Sequence, residues 1–215
     1  MDILLAGTSL VILIFSAILH EIAHGLVAER LGDPTARLAG RLTLNPKSHI
    51  DLYMTILLPL MTFFSSGGNV ILGGAKPVPV DPFNLRDGRK DLAIVSLAGP
   101  LTNITIAIIA SLAIHIFFPN NPIFFAQNSI FGFLLLNIVF LNLLLGIFNL
   151  LPIPPLDGSK IFALLLPEGT AQAFMSLQSI GFLILIFLLF FPIGDFSLMG
   201  FIFSLLSFSE KLLGL

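Results

Sequence analysis

The chain has 215 residues, of which 56% are hydrophobic and only 10% charged, with a formal net charge of −2 and a mean hydropathy of +1.04. That balance excludes an ordinary soluble globular domain and describes a membrane protein. No basic run is interleaved with aromatics, so no nucleic-acid partner is expected; cysteine is absent, so any metal must be held by histidine and carboxylates.

Met1-Asp2-Ile3 lacks the basic start of a secretory signal, and the first apolar run, about residues 3–31, is expected to be a retained helix. Gly32-Asp33-Pro34 ends it through a glycine stop and a helix-breaking proline, and its last turns carry His20, Glu21 and His24. Residues 34–51 are polar and basic and read as an aqueous loop, with a short alternation over Arg41-Leu42-Thr43-Leu44 that reads as a strand. Residues 52–72 are apolar but interrupted by Pro59 and by Ser65-Ser66-Gly67-Gly68, which weakens a continuous helix. The next stretch, 73–80, contains Lys76, Pro77, Val78 and Pro79 and is expected to be extended, because each proline drives the residue before it out of the α region.

Two long apolar segments follow, about 92–118 with Gly99-Pro100 and Asn103, and about 129–150 with Asn137, Asn142 and Asn149. No Asp, Glu, Lys or Arg interrupts residues 92–156, enough to cross a bilayer twice at ~20 residues per helix. The proline cluster within 151–158 forbids regular helix there, and apolar segments at about 171–191 and 196–213 complete the chain. The expected fold is an all-α polytopic membrane protein. It should have about five to six transmembrane helices and a re-entrant or extended membrane-associated segment, in a single domain over residues 1–215.

The positive-inside rule puts Arg30 to Lys47, Lys76 to Lys90, Lys160 and Lys211 on the cytoplasmic side and the uncharged stretch 119–128 outside. If both basic loops are cytoplasmic, residues 52–72 cannot cross once. Re-entry is the expected solution, since broken backbone at membrane depth is tolerated where protein or a wet cavity surrounds it.

His20-Glu21-Ile22-Ala23-His24 fits H-E-x-x-H. The i, i+4 spacing sets both imidazoles on one helical face to grip one zinc ion, and Glu21, about 100° round, reaches a water at the metal as acid/base without occupying the metal. Inside an apolar span an acidic residue costs roughly 2.5–3.5 kcal/mol on insertion scales, and such residues mark function. A catalytic zinc takes three protein ligands and an open position. Asp157 is the strongest candidate for the third, being the sole acidic residue between Asp91 and Glu168. An Asp before Gly is also a common helix N-cap, and the residues alone leave both roles open. His115, near the far end of its helix, His49, in the first basic loop, and Glu168 are weaker candidates.

Together the H-E-x-x-H stretch, Gly99-Pro100-Leu101-Thr102-Asn103 and Asn149-Leu150-Leu151-Pro152-Ile153-Pro154-Pro155-Leu156-Asp157-Gly158 resemble the site-2 protease family of intramembrane metalloproteases. The resemblance covers roughly the first three quarters of the chain. It implies one Zn2+ per chain held by His20, His24 and Asp157, with Glu21 as the acid/base. It further implies that Asn149 binds substrate or a developing oxyanion, that Asn103 supports the site or its packing, and that residues 73–80 align an unwound substrate by strand addition. The substrate implied is a transmembrane protein, cut within or near its membrane segment.

No PDZ or CBS domain of the kind that many relatives carry is expected, and, as only the active-site helix precedes the first basic loop, the helix that some relatives place ahead of it is expected to be missing. The expected location is a prokaryotic cell membrane, with the site near the cytoplasmic face. His24 lies about two turns before the first basic loop, or roughly 11 Å at 5.4 Å per turn. A membrane transporter or metal-binding channel is the main alternative, favoured by the asparagines of the fourth span but not by any repeat of broken helices. A catalytically silent scaffold is the third reading. The oligomeric state is open.

Overall fold

The computed structural model describes residues 2–51, 74–120 and 122–215, with positions 55, 57, 61 and 64 described singly. The stretch expected to span or re-enter, 52–72, therefore lies outside the described residues except at those four positions, and so does Gly73. The elements are α1 (Asp2–Arg30), the short α2 (Thr35–Leu38), α3 (Gly88–Phe117), α4 (Pro122–Gln127), α5 (Ile130–Asn149), α6 (Asp157–Leu164), α7 (Glu168–Ser176), α8 (Gln178–Phe190) and α9 (Leu198–Leu212). Single helical turns occupy Pro46–His49 and Pro82–Asn84.

Among the described residues no strand forms. Arg41-Leu42-Thr43-Leu44 is irregular chain, because the Arg41 side chain turns inward and its Nη2 donates to Lys76 O at 2.7 Å. Three helical stretches are long and apolar enough to span a membrane, Gly7–Arg30, Gly88–Phe117 and Ile130–Asn149, and Glu168–Ser176 with Gln178–Phe190 make a fourth if that pair, bent by 67°, counts as one. Among the described residues the protein is thus an all-helical integral membrane protein with three to four candidate spans; the expected five to six included residues 52–72, which lie outside them. The expected span over 171–191 breaks at Leu177. Beyond the break, Gly181 lets α8 lie directly on Pro154, whose carbonyl oxygen stands 2.1 Å from where a Cβ would be. At 15 residues, α9 is shorter than the ~20 that a full crossing needs.

The centre of the bundle is α3, which packs against α1, α5 and α6. Ala107, Ala110 and Ile114 of α3 are buried with Ala126, Val139, Leu143 and Leu206 in one apolar cluster, and Leu151, Leu156, Leu185, Leu189, Leu198 and Ile202 form a second under the C-terminal helices. Small residues on α3 let its neighbours approach closely, the usual device where lipid supplies no hydrophobic drive between helices. Large apolar side chains face outward along the same helix, including Ile109, Leu112 and Ile116, as a lipid-facing surface requires.

At one end of the bundle Gly32, with φ +115°, turns the chain out of α1 so that Asp33 is fully buried. Its Oδ1 accepts from the Thr35 amide at 3.0 Å, the Thr35 hydroxyl and Asn84 Nδ2 at 3.0 Å, and its Oδ2 from the Asp81 amide at 2.7 Å. Burial by itself pushes this carboxyl up, but those hydrogen bonds together outweigh it and hold the group below the usual 3.8. A depressed carboxyl stabilises the fold above its unfolded pKa, and that contribution is lost as pH falls through the folded one. Thermal stability of wild type should therefore drop below about pH 4, and Asp33→Asn, destabilised at neutral pH, should show a flatter profile there; equal pH slopes in a thermal-unfolding series would refute this.

One expectation about sidedness is corrected. Ser111 Oγ donates to Leu213 O at 3.1 Å, and a Cβ on Gly214 would come within 2.8 Å of His115 Nε2. Lys211 is therefore at the His115 end of α3, separated from Arg89 by about 33 Å of helix at 1.5 Å per residue. It cannot share a membrane face with Arg89 and Lys90. A single lysine carries little weight in a charge-bias rule that counts whole loops.

Candidate active site

The polar residues of α1 and α3 meet along two matching stripes. Ser16, His20 and His24 recur every four residues on α1, as do Val95, Gly99 and Asn103 on α3, so each set lines one helical face. His24 Nδ1 lies 2.7 Å from Val95 O, and His20 Nδ1 lies 2.6 Å from Asn103 Oδ1. Both partners are carbonyl oxygens, which only accept, so both protons sit on Nδ1. The Asn103 orientation is fixed in turn, because its Nδ2 donates to Asn142 Oδ1 at 2.9 Å, and Asn142 Nδ2 donates to Ser16 Oγ at 2.9 Å and Ile138 O at 2.9 Å.

With Nδ1 protonated, the two Nε2 atoms present lone pairs to each other at 3.0 Å and to Asp157 Oδ2 at 3.1 Å each. In the neutral rings these three lone pairs converge on one point, an arrangement that a cation would satisfy. Ligand atoms on a tetrahedral zinc at 2.0–2.1 Å stand about 3.3 Å apart, close to the observed separations, so His20, His24 and Asp157 could hold a metal ion. Gly99 keeps the space open: a Cβ there would lie 2.5 Å from both Nε2 atoms, within the volume the ion needs. The residues present fit zinc.

Asp157 is not a helix cap. Leu156 occupies the cap position with extended backbone, and Asp157 is the first residue of α6 with its side chain turned to the histidines. Its approach depends on Gly158, where a Cβ would stand 2.1 Å from Leu150 O. The second carboxylate oxygen, Oδ1, accepts from Lys160 Nζ at 3.2 Å.

Glu21 Oε2 accepts from the Val78 amide at 2.7 Å. Residues 74–80 are non-helical and pinned along one edge: the Lys76 amide donates to His49 O at 2.8 Å, Lys76 O accepts from Arg41, and Val78 N–H holds Glu21. Pro77 and Pro79 fall at the alternate positions, leaving an opposite edge with carbonyls and few donors. Besides the substrate alignment expected of it, this segment touches through its backbone the carboxylate expected to be catalytic.

Other expected residues stand elsewhere. Asn149 Nδ2 donates to Leu145 O of its own helix at 3.0 Å, with no described contact to the histidines. His49 is buried and bonded to Thr43 O at 2.8 Å, His115 to Ser111 O at 2.9 Å, and Glu168 is paired with Arg89; none joins the cluster. Sequence reasoning missed Ser16 and gave Asn142 no role at the site. The signal for Ser16 was its place one turn before His20, and for Asn142 its polarity at the middle of an apolar span.

A spanning helix with two histidines whose donors converge with the carboxylate of Asp157 on α6, and with Glu21 beside His20, defines a membrane-embedded metallohydrolase site. The chain belongs to peptidase family M50, the site-2 protease family, whose model matches residues 8–128 and 120–191. It is 36% identical over 187 residues to the Bacillus subtilis protein named "Putative zinc metalloprotease YwhC", covering 86% of this chain and 81% of that one. It is 32% identical over 180 residues to the Mycolicibacterium smegmatis "Putative zinc metalloprotease Rip2", covering 83% of this chain and 65% of the relative. A Methanocaldococcus jannaschii protein, "Putative zinc metalloprotease MJ0611", is 31% identical over 144 residues, with 67% and 63% covered. No solved structure gives a match. The chain thus belongs to a peptidase family, and its His20, His24 and Asp157 form a group that could bind the metal named in those relatives.

Proposed function

We propose that this protein is an intramembrane zinc endopeptidase that hydrolyses peptide bonds within or near transmembrane segments of membrane-protein substrates, as in regulated intramembrane proteolysis. The observation that carries the reading is the convergence of His20, His24 and Asp157 beside Glu21 inside a bundle whose outer face is apolar. His20 Nε2, His24 Nε2 and Asp157 Oδ2 would hold one ion. Zinc bound there supplies Lewis acidity, which polarises a carbonyl and acidifies water.

The chain's own residues do the rest. Glu21 takes a proton from the attacking water as the new C–O bond forms and delivers it to the amine nitrogen as the C–N bond breaks. The Val78 amide fixes the orientation of that carboxylate. Asn149, with one of its two N–H groups bonded to Leu145 O, keeps a second donor for the charge that develops on the substrate oxygen. Asn103 holds the tautomer of His20 rather than touching substrate, a role of the kind that outer-shell partners play at metal sites.

A helical substrate has its backbone bonds satisfied internally, so cleavage needs local unwinding and an edge on which freed groups can pair. Residues 74–80 supply that edge. Lys76 and Val78 spend their backbone groups inward, which leaves the carbonyls at Pro77 and Pro79 to accept from the substrate's amides. The site lies toward the end of α3 that follows Arg86 and carries Arg89 and Lys90, which supports cleavage near the cytoplasmic face of a prokaryotic cell membrane.

The test is cleavage of a transmembrane substrate by the purified protein in lipid vesicles, before and after the metal is stripped with a chelator. Cleavage should disappear with the metal and return on adding zinc. Undiminished cleavage by protein shown by elemental analysis to be metal-free would refute the reading, as would metal-dependent solute transport with no cleavage.

A further inference from the structure

The two oxygens of Asp157 have different surroundings. Oδ2 faces both histidines at 3.1 Å, while Oδ1 accepts from Lys160 Nζ at 3.2 Å, one turn further along α6. That turn is held rigidly: Ser159 Oγ donates to Leu156 O at 2.6 Å, and Gly158 lies against the Leu150 carbonyl. The lysine stem lines a cavity of about 150 Å³ together with Arg89, Glu168, Gln172 and Met175. Arg89 is engaged there by Glu168 and by the carbonyls of Ala163 and Leu166. Lys160 is engaged by Asp157 instead.

A carboxylate can bind a metal through one oxygen or through both. With both, Asp157 would fill the position that a hydrolytic site must leave open. An ammonium on Oδ1 neutralises that oxygen and ties it away from the ion, and its compact charge on a flexible stem can do this with one short contact. We infer that Lys160 is a positioning residue: it restricts Asp157 to a single donor oxygen and so keeps one coordination position free for the reaction. The inference rests on the metal reading of Asp157 given above.

The experiment uses the full-length protein loaded with cobalt in place of zinc, since the visible bands of Co2+ report coordination number. Wild type should bind about one cobalt with the intense bands of a four-coordinate site. Lys160→Met should bind cobalt with weaker, shifted bands as the second oxygen joins, and its zinc form should cleave roughly 10–100-fold more slowly, the usual scale for loss of a ligand's supporting partner. Lys160→Arg, which restores a cation at the same place, should return both spectrum and rate; Lys160→Gln serves in place of Lys160→Met if the latter does not fold. No cobalt in wild type would overturn the metal reading itself. Cobalt bound by wild type with identical spectra in wild type and Lys160→Met, or Lys160→Gln in its place, would overturn the role of Lys160 alone.

Discussion

Replacing Gly99 by alanine should empty the metal site while leaving the helix bundle folded. The added methyl carbon would stand 2.5 Å from His20 Nε2 and from His24 Nε2, whereas each nitrogen must have zinc at about 2.0–2.1 Å. Carbon and ion cannot share that space, and neither histidine can retreat without losing its bond to Asn103 or Val95. In helical backbone, however, alanine is more favourable than glycine by about 1 kcal/mol. That gain offsets part of the crowding, so two readouts test the idea. Zinc affinity, measured by competition with a chelator, should fall by at least about 100-fold, on the scale of a lost supporting partner or beyond, and cleavage should fall with it. The metal-free variant should still unfold cooperatively, but more easily than metal-free wild type, because the methyl crowds both imidazoles even without an ion; zinc binding is therefore compared at a temperature where both are folded. Stoichiometric zinc in Gly99→Ala would show that the ion sits elsewhere.

Val78→Pro should slow catalysis without touching the metal. Proline deletes the one described hydrogen bond to Glu21, and hydrogen bonds to charged groups contribute roughly 1.5–3 kcal/mol. At 1.36 kcal/mol per tenfold, that is a fall in kcat of roughly 10–150-fold. Val78→Ala separates this from packing, because it keeps the amide and loses only the side chain that lies against Gly25. Glu21→Gln gives the floor, with zinc retained and cleavage abolished. The expected order of kcat is wild type, Val78→Ala, Val78→Pro, Glu21→Gln at matched zinc content. If Val78→Pro and Val78→Ala are equal, the amide does not support Glu21. If a substrate loosened by glycine rescues Val78→Pro fully, the defect lies in substrate presentation.

What the sequence made legible follows from how far each contact reaches along the chain. His20, Glu21 and His24 depend on helical spacing alone, and α1 runs unbroken through all three. Asp157 lies 137 residues beyond His20, so spacing could rank it only against a helix cap, and the family resemblance separated the two. Gly99 and Asn103 were visible as parts of a motif, but their work was not: one leaves space for an ion, the other fixes a tautomer. Asn142 looked like any asparagine of an apolar span. The Val78 amide was the least legible feature, since a backbone group has no residue type to betray it. The bend at Leu177 goes with the packing of α8 on Pro154 in the proline-rich turn, a tertiary contact that an apolar pattern long enough to span does not reveal.

The chain of Ser16, Asn142, Asn103 and His20 has a consequence for biogenesis. Each link joins a different helix, so when α1 first enters the bilayer its histidines and Glu21 have no partners, and their burial there is unfavourable by a few kcal/mol. Asn103 arrives some eighty residues later in synthesis, Asn142 later still, and Asp157 last. A site assembled in that order lacks its third metal donor until Asp157, 137 residues after His20, has been made, so its chemistry cannot begin while the earlier helices are still being inserted.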